Sequence, residues 1–162
     1  PLGLVVVDYV QLVEVDRARD TRERVTAASD ACKSLALDLG VPVLALSQLN
    51  RGVESRDPPV PIISDMRETG RLEEDADIVC LLYRPDYYIA RDLEAAERSG
   101  ASVAARADLE ADLARARGRL DLIVAKQRSG AIGTERAFLR ADLCHVSDQQ
   151  MDAAEPAQGG ML

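Results

Sequence analysis

The stretch Leu2-Gly3-Leu4-Val5-Val6-Val7-Asp8 is the strongest indication of the class of fold. A continuous apolar run rich in β-branched residues is typical of a strand buried on both faces of a parallel sheet. Such a strand rarely begins a domain within its first few residues. We therefore expect partner strands upstream of Pro1, which would make the fold incomplete at its N-terminus.

The next segments predict a helix and a second strand. Apolar residues recur at three- and four-residue steps, which gives a helix one apolar face, and they are Val25, Ala28, Cys32, Leu35 and Leu39. Gly40 stands where a C-terminal cap belongs, and residues 43–46 form a second apolar run. A strand-helix-strand crossover makes the strands parallel, so Asp8 and Gln48 should meet at one edge of the sheet.

The rest of the chain predicts an α/β fold. We expect a loop over residues 50–61, a short helix capped by Ser64, a third strand over residues 78–83 and a helical insertion over residues 89–118 that Gly100 divides. Residues 120–125 and 134–139 read as an antiparallel hairpin. One domain would span residues 1–148, and the biased composition of residues 149–162 predicts a disordered tail.

Composition limits the classes of function. The 162 residues carry a net charge of −8, which argues against a nucleic-acid binder coated in positive charge, although residues 119–140 carry +3. Cys32, Cys80 and Cys144 lie far apart, so we expect buried thiols rather than a metal or redox pair. No signal peptide or membrane span is recognisable, which predicts a soluble, intracellular protein with no membrane partner.

Two side chains at the predicted sheet edge suggest nucleotide chemistry. An acid directly after a buried strand is where nucleotide hydrolases hold Mg²⁺, often through water, and Asp8 has that position. Many strands also end in an acid that only binds loop amides. The amide of Gln48 can donate to a phosphoryl oxygen and accept from a water, so the two residues together suggest a phosphate sensor.

Two further segments carry candidate residues. The backbone amides, Gly70 and arginines of residues 64–71 suit a phosphodiester backbone, although an ordinary helix start explains them equally well. Lys126 and Arg128 would project to one side of a strand, where a guanidinium can neutralise charge on a phosphoryl group in its own or a neighbouring subunit. A basic surface strand is the alternative. Asp77 is expected only to precede a strand.

Four motifs in order resemble the C-terminal motor domain of the bacterial DnaB replicative helicase family, over residues 2 to about 143. They are Leu-Val-Val-Val-Asp-Tyr-Val-Gln-Leu at 4–12, Leu-Ser-Gln-Leu-Asn-Arg-Gly-Val-Glu at 46–54, Asp-Met-Arg-Glu-Thr-Gly at 65–70 and Ala-Lys-Gln-Arg-Ser-Gly at 125–130. Four motifs in the right order and spacing are far more specific than any one of them.

The resemblance implies a RecA-like three-layer fold with a mainly parallel sheet and a C-terminal antiparallel hairpin. It also implies a cytoplasmic ATPase that forms a hexameric ring around single-stranded DNA, uses ATP and Mg²⁺ to translocate and unwind duplex at the replication fork, and meets primase and a helicase loader in the primosome.

By the same resemblance, Asp8 is the Walker B acid for Mg²⁺ and Gln48 senses the γ-phosphate. Lys126 and Arg128 reach the nucleotide of the neighbouring subunit, with Arg128 as the arginine finger. The residues that match the DNA-contacting loop are Arg67, Glu68 and Gly70.

The sequence also departs from the family pattern. No Gly-x-x-x-x-Gly-Lys-Ser/Thr loop occurs in these 162 residues. The resemblance implies that the catalytic glutamate lies upstream, and the family's N-terminal collar is missing. Residues 89–118 are longer than expected. We therefore expect half of one ATP site and the trans half of its neighbour's, and an inactive fragment. A non-catalytic RecA-like regulatory or interaction module is the alternative, whereas a recombinase or circadian ATPase would lack the 46–54 and 125–130 motifs together.

Overall fold

The computed structural model describes residues 1–15 and 18–148, with the side chains of residues 67–69 outside that description. The strands are β1 Val5–Val7, β2 Val43–Ala45, β3 Ile78–Tyr83, β4 Arg119–Gln127, β5 Gly133–Arg140 and β6 His145–Ser147. The α-helices are α1 Thr21–Leu39, α2 Gly70–Asp75, α3 Pro85–Ser99 and α4 Val103–Ala116. The tail predicted over residues 149–162 lies outside the described residues.

Strands β1 and β2 pair in parallel across the crossover helix α1. Val5 lies opposite Val43 and Val7 opposite Ala45. The pairing continues past both strands, because the Leu46 N–H donates to the Val7 carbonyl and the Val10 N–H donates to the Leu46 carbonyl, both at 2.9 Å. This unit confirms the predicted strand-helix-strand arrangement and brings the carboxyl ends of both strands to one edge.

Capping residues set both ends of helix α1. The Asp20 carboxylate accepts a hydrogen bond from the Glu23 N–H at 2.8 Å, which satisfies a free donor of the first turn. Gly40 ends the helix at a φ of 63°, a left-handed conformation that a residue with a Cβ rarely adopts.

The core of this region uses only part of the predicted apolar face of α1. Val25 and Ala28 are buried with Val10 and Leu72, and Val7 and Ala45 pack against them. Leu35 and Leu39 lie near the other end of the helix and are exposed, so their predicted burial is wrong.

The prediction that β1 is buried on both faces is also wrong within the described residues. Val7 packs on the core, whereas Val6 and its register partner Leu44 are 55% and 51% exposed. Successive side chains of a strand point to opposite faces, so each strand presents one packed face and one exposed face.

The remaining strands form a second sheet in the order β3-β4-β5-β6. Residues 128–132 join β4 to β5, a connection too short for a parallel crossover, which confirms the predicted hairpin. Strand β6 pairs antiparallel with β5, and its three mostly exposed residues carry no strong strand pattern in the sequence. Parallel pairing is seen between β1 and β2.

The chain divides into two compact units. Among the described residues, the first contains those of Pro1–Leu81 and Val124–Ile132, and the second contains those of Leu82–Ile123 and those from Gly133 onward. In the second unit, helices α3 and α4 are separated at Gly100, as predicted, although α3 starts at Pro85 rather than at residue 89. In the part of the chain that the structure describes, no helix is both long enough and apolar enough to cross a membrane.

The three cysteines are less buried than predicted. All are free thiols, with Cys32 half-buried and Cys80 and Cys144 exposed. Strand alternation explains Cys80, because its neighbours Val79 and Leu81 occupy the buried face of β3. Cys144 lies in a turn with a φ of 49°, directly after the 3-10 helix Ala141–Leu143.

We expect Gly118→Ala to destabilise the second unit. Gly118 has a φ of 71°, and a Cβ there would lie 3.3 Å from the Leu139 carbonyl oxygen. Left-handed backbone costs a residue with a Cβ about 1–2 kcal/mol, which urea denaturation followed by circular dichroism should detect as a lower free energy of unfolding.

The matched control is Gly133→Ala, since a Cβ at Gly133 meets nothing within 4 Å and its φ is ordinary. That variant should unfold like the parent chain. Equal losses in the two variants would contradict the backbone argument.

Candidate functional site

The parallel edge of β1 and β2 carries the first two predicted site residues. Asp8 directly follows β1, and Gln48 lies three residues beyond the end of β2. The two strands stay hydrogen-bonded beyond their ends, where the Val10 N–H donates to the Leu46 carbonyl at 2.9 Å. Both side chains are exposed, so the edge presents a carboxylate and an amide to solvent.

Gln11 holds the segment that carries Gln48, and the sequence analysis does not single it out. Its Nε2 donates to the Ser47 Oγ at 2.9 Å and to the Gln48 carbonyl at 3.4 Å. Its Oε1 accepts from the Gln48 N–H at 3.4 Å. The 3-10 turn Val10–Leu12 places this amide next to β2, which no spacing rule reveals.

A cavity of about 470 Å³ lies beside Gln48. Its lining includes polar groups from four segments of the chain, among them Gln11, Thr21, Gln48, Asn50 and Asp65. Asp8 is not part of the lining. The cavity therefore connects the predicted sensor residue with the start of the segment that carries the predicted DNA-contacting residues.

Asp65 fixes the loop that precedes this segment. Its carboxylate is 8% exposed and binds both ends of the Arg56 guanidinium, at 2.8 and 3.0 Å. It also accepts the Ile62 N–H at 2.8 Å, while its backbone carbonyl accepts the Asn50 N–H at 2.9 Å. The hydrogen bonds from Arg56 hold the pKa of Asp65 below its usual value.

The predicted DNA-contacting residues lie on two consecutive helical pieces. A 3-10 helix, Ile63–Thr69, contains Arg67 and Glu68, whose side chains are outside the described part of the structure. Gly70 is the exposed first residue of α2. The expected cap at Ser64 is wrong, because the first helical residue is Ile63 and the carboxylate that binds the preceding amide belongs to Asp65.

Lys126 and Arg128 meet the C-terminal end of α2. The Lys126 ammonium donates to the carbonyls of Glu73 and Glu74, and the Arg128 guanidinium donates to the Glu74 carbonyl at 3.1 Å. Cations at the last carbonyls of a helix are favoured, because those carbonyls lack partners within the helix. Both cations therefore lie on one side, as predicted, although Arg128 is in the turn after β4.

Asp77 does more than precede a strand, which corrects the sequence prediction. Its carboxylate contacts Arg128 at 2.8 Å and Lys33 at 3.1 Å. Because Lys33 donates a hydrogen bond and Arg128 and Lys126 add positive charge nearby, the pKa of Asp77 is below its usual value. Lys33 and Asp77 are 44 residues apart, so no local pattern reveals the pair.

The neighbouring acids bind other partners. Asp75 accepts from the Ser29 hydroxyl at 2.9 Å and contacts Arg71 at 3.1 Å. Arg71 also binds Asp30 on α1 at 2.8 Å. These contacts fasten α2 to α1 along one side, so the helix between the predicted DNA loop and the basic pair is held at several points.

Comparison with solved structures identifies the class of protein to which this fold belongs. The chain superposes on "ATPase Domain of G40P" with a TM-score of 0.70 and 33% identity, covering 91% of this chain and 44% of that one. It also superposes on a structure titled "The Structure Of A DnaB-Like Replicative Helicase And Its Interactions With Primase", with a TM-score of 0.64 and 36% identity, covering 83% and 27%. The class is that of RecA-like helicase ATPase domains.

The family follows from the sequence comparisons. A family model described as "DnaB-like helicase C terminal domain" matches residues 1–147, so the chain belongs to this family. It is 39% identical over 138 residues to the replicative DNA helicase DnaB of Rickettsia bellii, and 42% identical over 135 residues to the replicative DNA helicase DnaC of Bacillus subtilis. These matches cover 85% and 82% of this chain but 28% and 25% of the relatives.

We expect Asp65→Asn to loosen the loop between residues 50 and 62. The Ile62 N–H donates to the Asp65 carboxylate, so its hydrogen exchange at neutral pH should become about tenfold faster, as for the net loss of one hydrogen bond. The Asn50 N–H donates to the Asp65 backbone carbonyl, which the variant keeps, so its exchange should change less. Exposed Asp57 lies in the same loop, and Asp57→Asn should leave both exchange rates unchanged.

The protection by Asp65 should also depend on pH. A folded-state pKa below the unfolded value of about 3.9 means that the stabilisation is complete above that pH and is lost as the pH falls through the folded-state pKa. Protection factors of Ile62 should therefore stay constant from pH 7 to 5 and fall below about pH 4. Constant protection at still lower pH would contradict the ionic contact.

Proposed function

We propose that this chain is the C-terminal part of the motor domain of a replicative DNA helicase. The intact protein would use ATP hydrolysis to move along single-stranded DNA and unwind duplex at the replication fork. The family match over residues 1–147 carries the proposal. Because the chain spans about a quarter of the length of the curated relatives it matches, the activity belongs to a longer protein.

Asp8 is the proposed Mg²⁺ residue. Mg²⁺ is commonly held by one or two carboxylates plus phosphate oxygens and waters, so a single exposed carboxylate at the sheet edge fits such an ion. Among residues 1–15 and 18–148, no group of three or more His, Cys, Asp or Glu side chains is placed to hold a metal. Asp8 would thus contact the ion through water, next to ATP.

Gln48 is proposed to sense the γ-phosphate and pass its state to the DNA-contacting segment. The support is positional: Gln48 and Asp65 line one cavity, and Asp65 begins the segment that holds Arg67, Glu68 and Gly70. A shift of the Gln48 backbone would change its hydrogen bonds with the Gln11 side chain and the shape of this cavity. Arg67, Glu68 and Gly70 are proposed to contact the phosphate backbone of single-stranded DNA.

Lys126 and Arg128 are proposed to act on the nucleotide of a neighbouring subunit in a homo-hexameric ring. The Arg128 side chain is 52% exposed on the turn after β4, which leaves the guanidinium accessible to an incoming anion. A guanidinium at a developing phosphoryl charge acts as an arginine finger. We also propose that the intact protein binds primase and a helicase loader, and that it acts in the cytoplasm.

We expect the isolated 162-residue chain to show no DNA-stimulated ATP hydrolysis, because it has no lysine-bearing phosphate loop. The full-length protein should hydrolyse ATP faster when single-stranded DNA is added. A coupled phosphate-release assay on both proteins distinguishes the proposal from a non-catalytic interaction module, for which neither protein would turn over ATP.

We expect Arg128→Ala in the full-length protein to lower kcat for ATP about a thousandfold, as for other arginine fingers. Each subunit should still bind nucleotide, because the finger acts on a neighbour. Turnover and the Kd of a fluorescent ATP analogue would be measured in parallel. Arg136→Ala removes an exposed arginine of the same hairpin and serves as the control. Parallel losses of binding and turnover would contradict the trans role.

A further inference from the structure

Asp77 contacts Arg128 twice, once through its backbone carbonyl and once through its carboxylate. The Arg128 N–H donates to the Asp77 carbonyl at 2.9 Å, which anchors the start of the hairpin turn. One terminal nitrogen of the Arg128 guanidinium contacts the Asp77 carboxylate at 2.8 Å. One residue therefore determines both where the arginine leaves the chain and where its guanidinium points.

The Glu74 carbonyl and the Lys33 ammonium further restrict the orientation of the Arg128 guanidinium. The second terminal nitrogen of Arg128 donates to the Glu74 carbonyl at 3.1 Å, so the planar group is bound along two directions. The other carboxylate oxygen of Asp77 is held by the Lys33 ammonium at 3.1 Å, which also donates to the Asp75 carbonyl at 3.2 Å. Helix α1 thereby fixes the carboxylate that holds the arginine.

The exposure of the pair suits an accessory role. Asp77 contacts Arg128 and Lys33, and the positive charge of Lys126 also acts on it. The Arg128 side chain is 52% exposed, so an anion can approach its guanidinium while Asp77 continues to hold it. The Asp77 side chain is 62% exposed, and exposed ion pairs contribute little to folding stability. The contact is consequently better suited to orientation than to stabilisation.

We propose that Asp77 is a positioning residue for Arg128: supported by Lys33, it holds the guanidinium in the direction from which it reaches a phosphoryl group of the neighbouring subunit. This inference rests on the proposed function. It adds two residues, Asp77 and Lys33, whose roles are to orient the arginine and not to touch the nucleotide.

The test is Asp77→Asn in the full-length protein, with DNA-stimulated ATP turnover as the measurement. Misplacing a reacting group costs rate more than binding, so kcat should fall about tenfold while KM for ATP stays within about twofold. Asp77→Glu keeps the charge and should recover most of kcat. The thermal unfolding midpoint should not change, which separates orientation from a general loss of structure.

A double-mutant cycle with Arg128→Ala tests whether Asp77 acts through the arginine. If it does, Asp77→Asn should cause no further loss of kcat once Arg128 is removed. The matched control is Asp142→Asn, because Asp142 is also an exposed aspartate paired with an arginine, at 2.9 Å from Arg140. That variant should turn over ATP like the wild type.

The outcomes separate the two proposals. If Arg128→Ala abolishes turnover but Asp77→Asn matches the wild type, raises kcat or loses rate additively with Arg128→Ala, the positioning role is overturned and the proposed function stands. If the wild-type protein does not turn over ATP, or Arg128→Ala leaves turnover intact, the proposed role of the arginine fails and the positioning role fails with it.

Discussion

The parallel pairing of β1 with β2 is the constraint on which the candidate site depends. Because the pairing continues past the last residue of each strand, the segments that carry Asp8 and Gln48 leave the sheet side by side. A shift of one residue in this register would turn every side chain of the shifted strand to the opposite face. The packing of Val7 and Ala45 against the α1 core opposes such a shift, so the same apolar contacts that stabilise the unit also set the positions of the polar groups.

Helix α2 links the other candidate residues. Its first residue, Gly70, belongs to the segment proposed to contact DNA, and its last carbonyls bind Lys126 and Arg128. Contacts from Asp30 and Ser29 tie its flank to α1. The same short helix therefore contacts both groups of residues, one at its first residue and the other at its last carbonyls.

Local patterns predict much of the fold, and they fail where burial depends on a partner surface. The strand, helix and hairpin positions follow from apolar periodicity and from glycines at the turns, as Gly40 and Gly100 illustrate. Periodicity identifies the apolar faces but does not show what covers them, so the burial of Val6, Leu35 and Cys80 is predicted wrongly. Gln11 and Asp77 lack any local signal, because their partners are distant along the chain.

The α/β class, the family resemblance and the residue types at the candidate site follow from the sequence alone, since the four ordered motifs depend only on residue identity and spacing. Tertiary structure decided which of those residues touch. It placed Lys126 and Arg128 on the end of α2, gave Asp77 a shared contact with Lys33 and Arg128, and opened a cavity between Gln48 and Asp65. The reason is that hydrogen bonds and ion pairs act over a few ångströms in space, a distance that residues far apart in the chain reach only once the chain has folded.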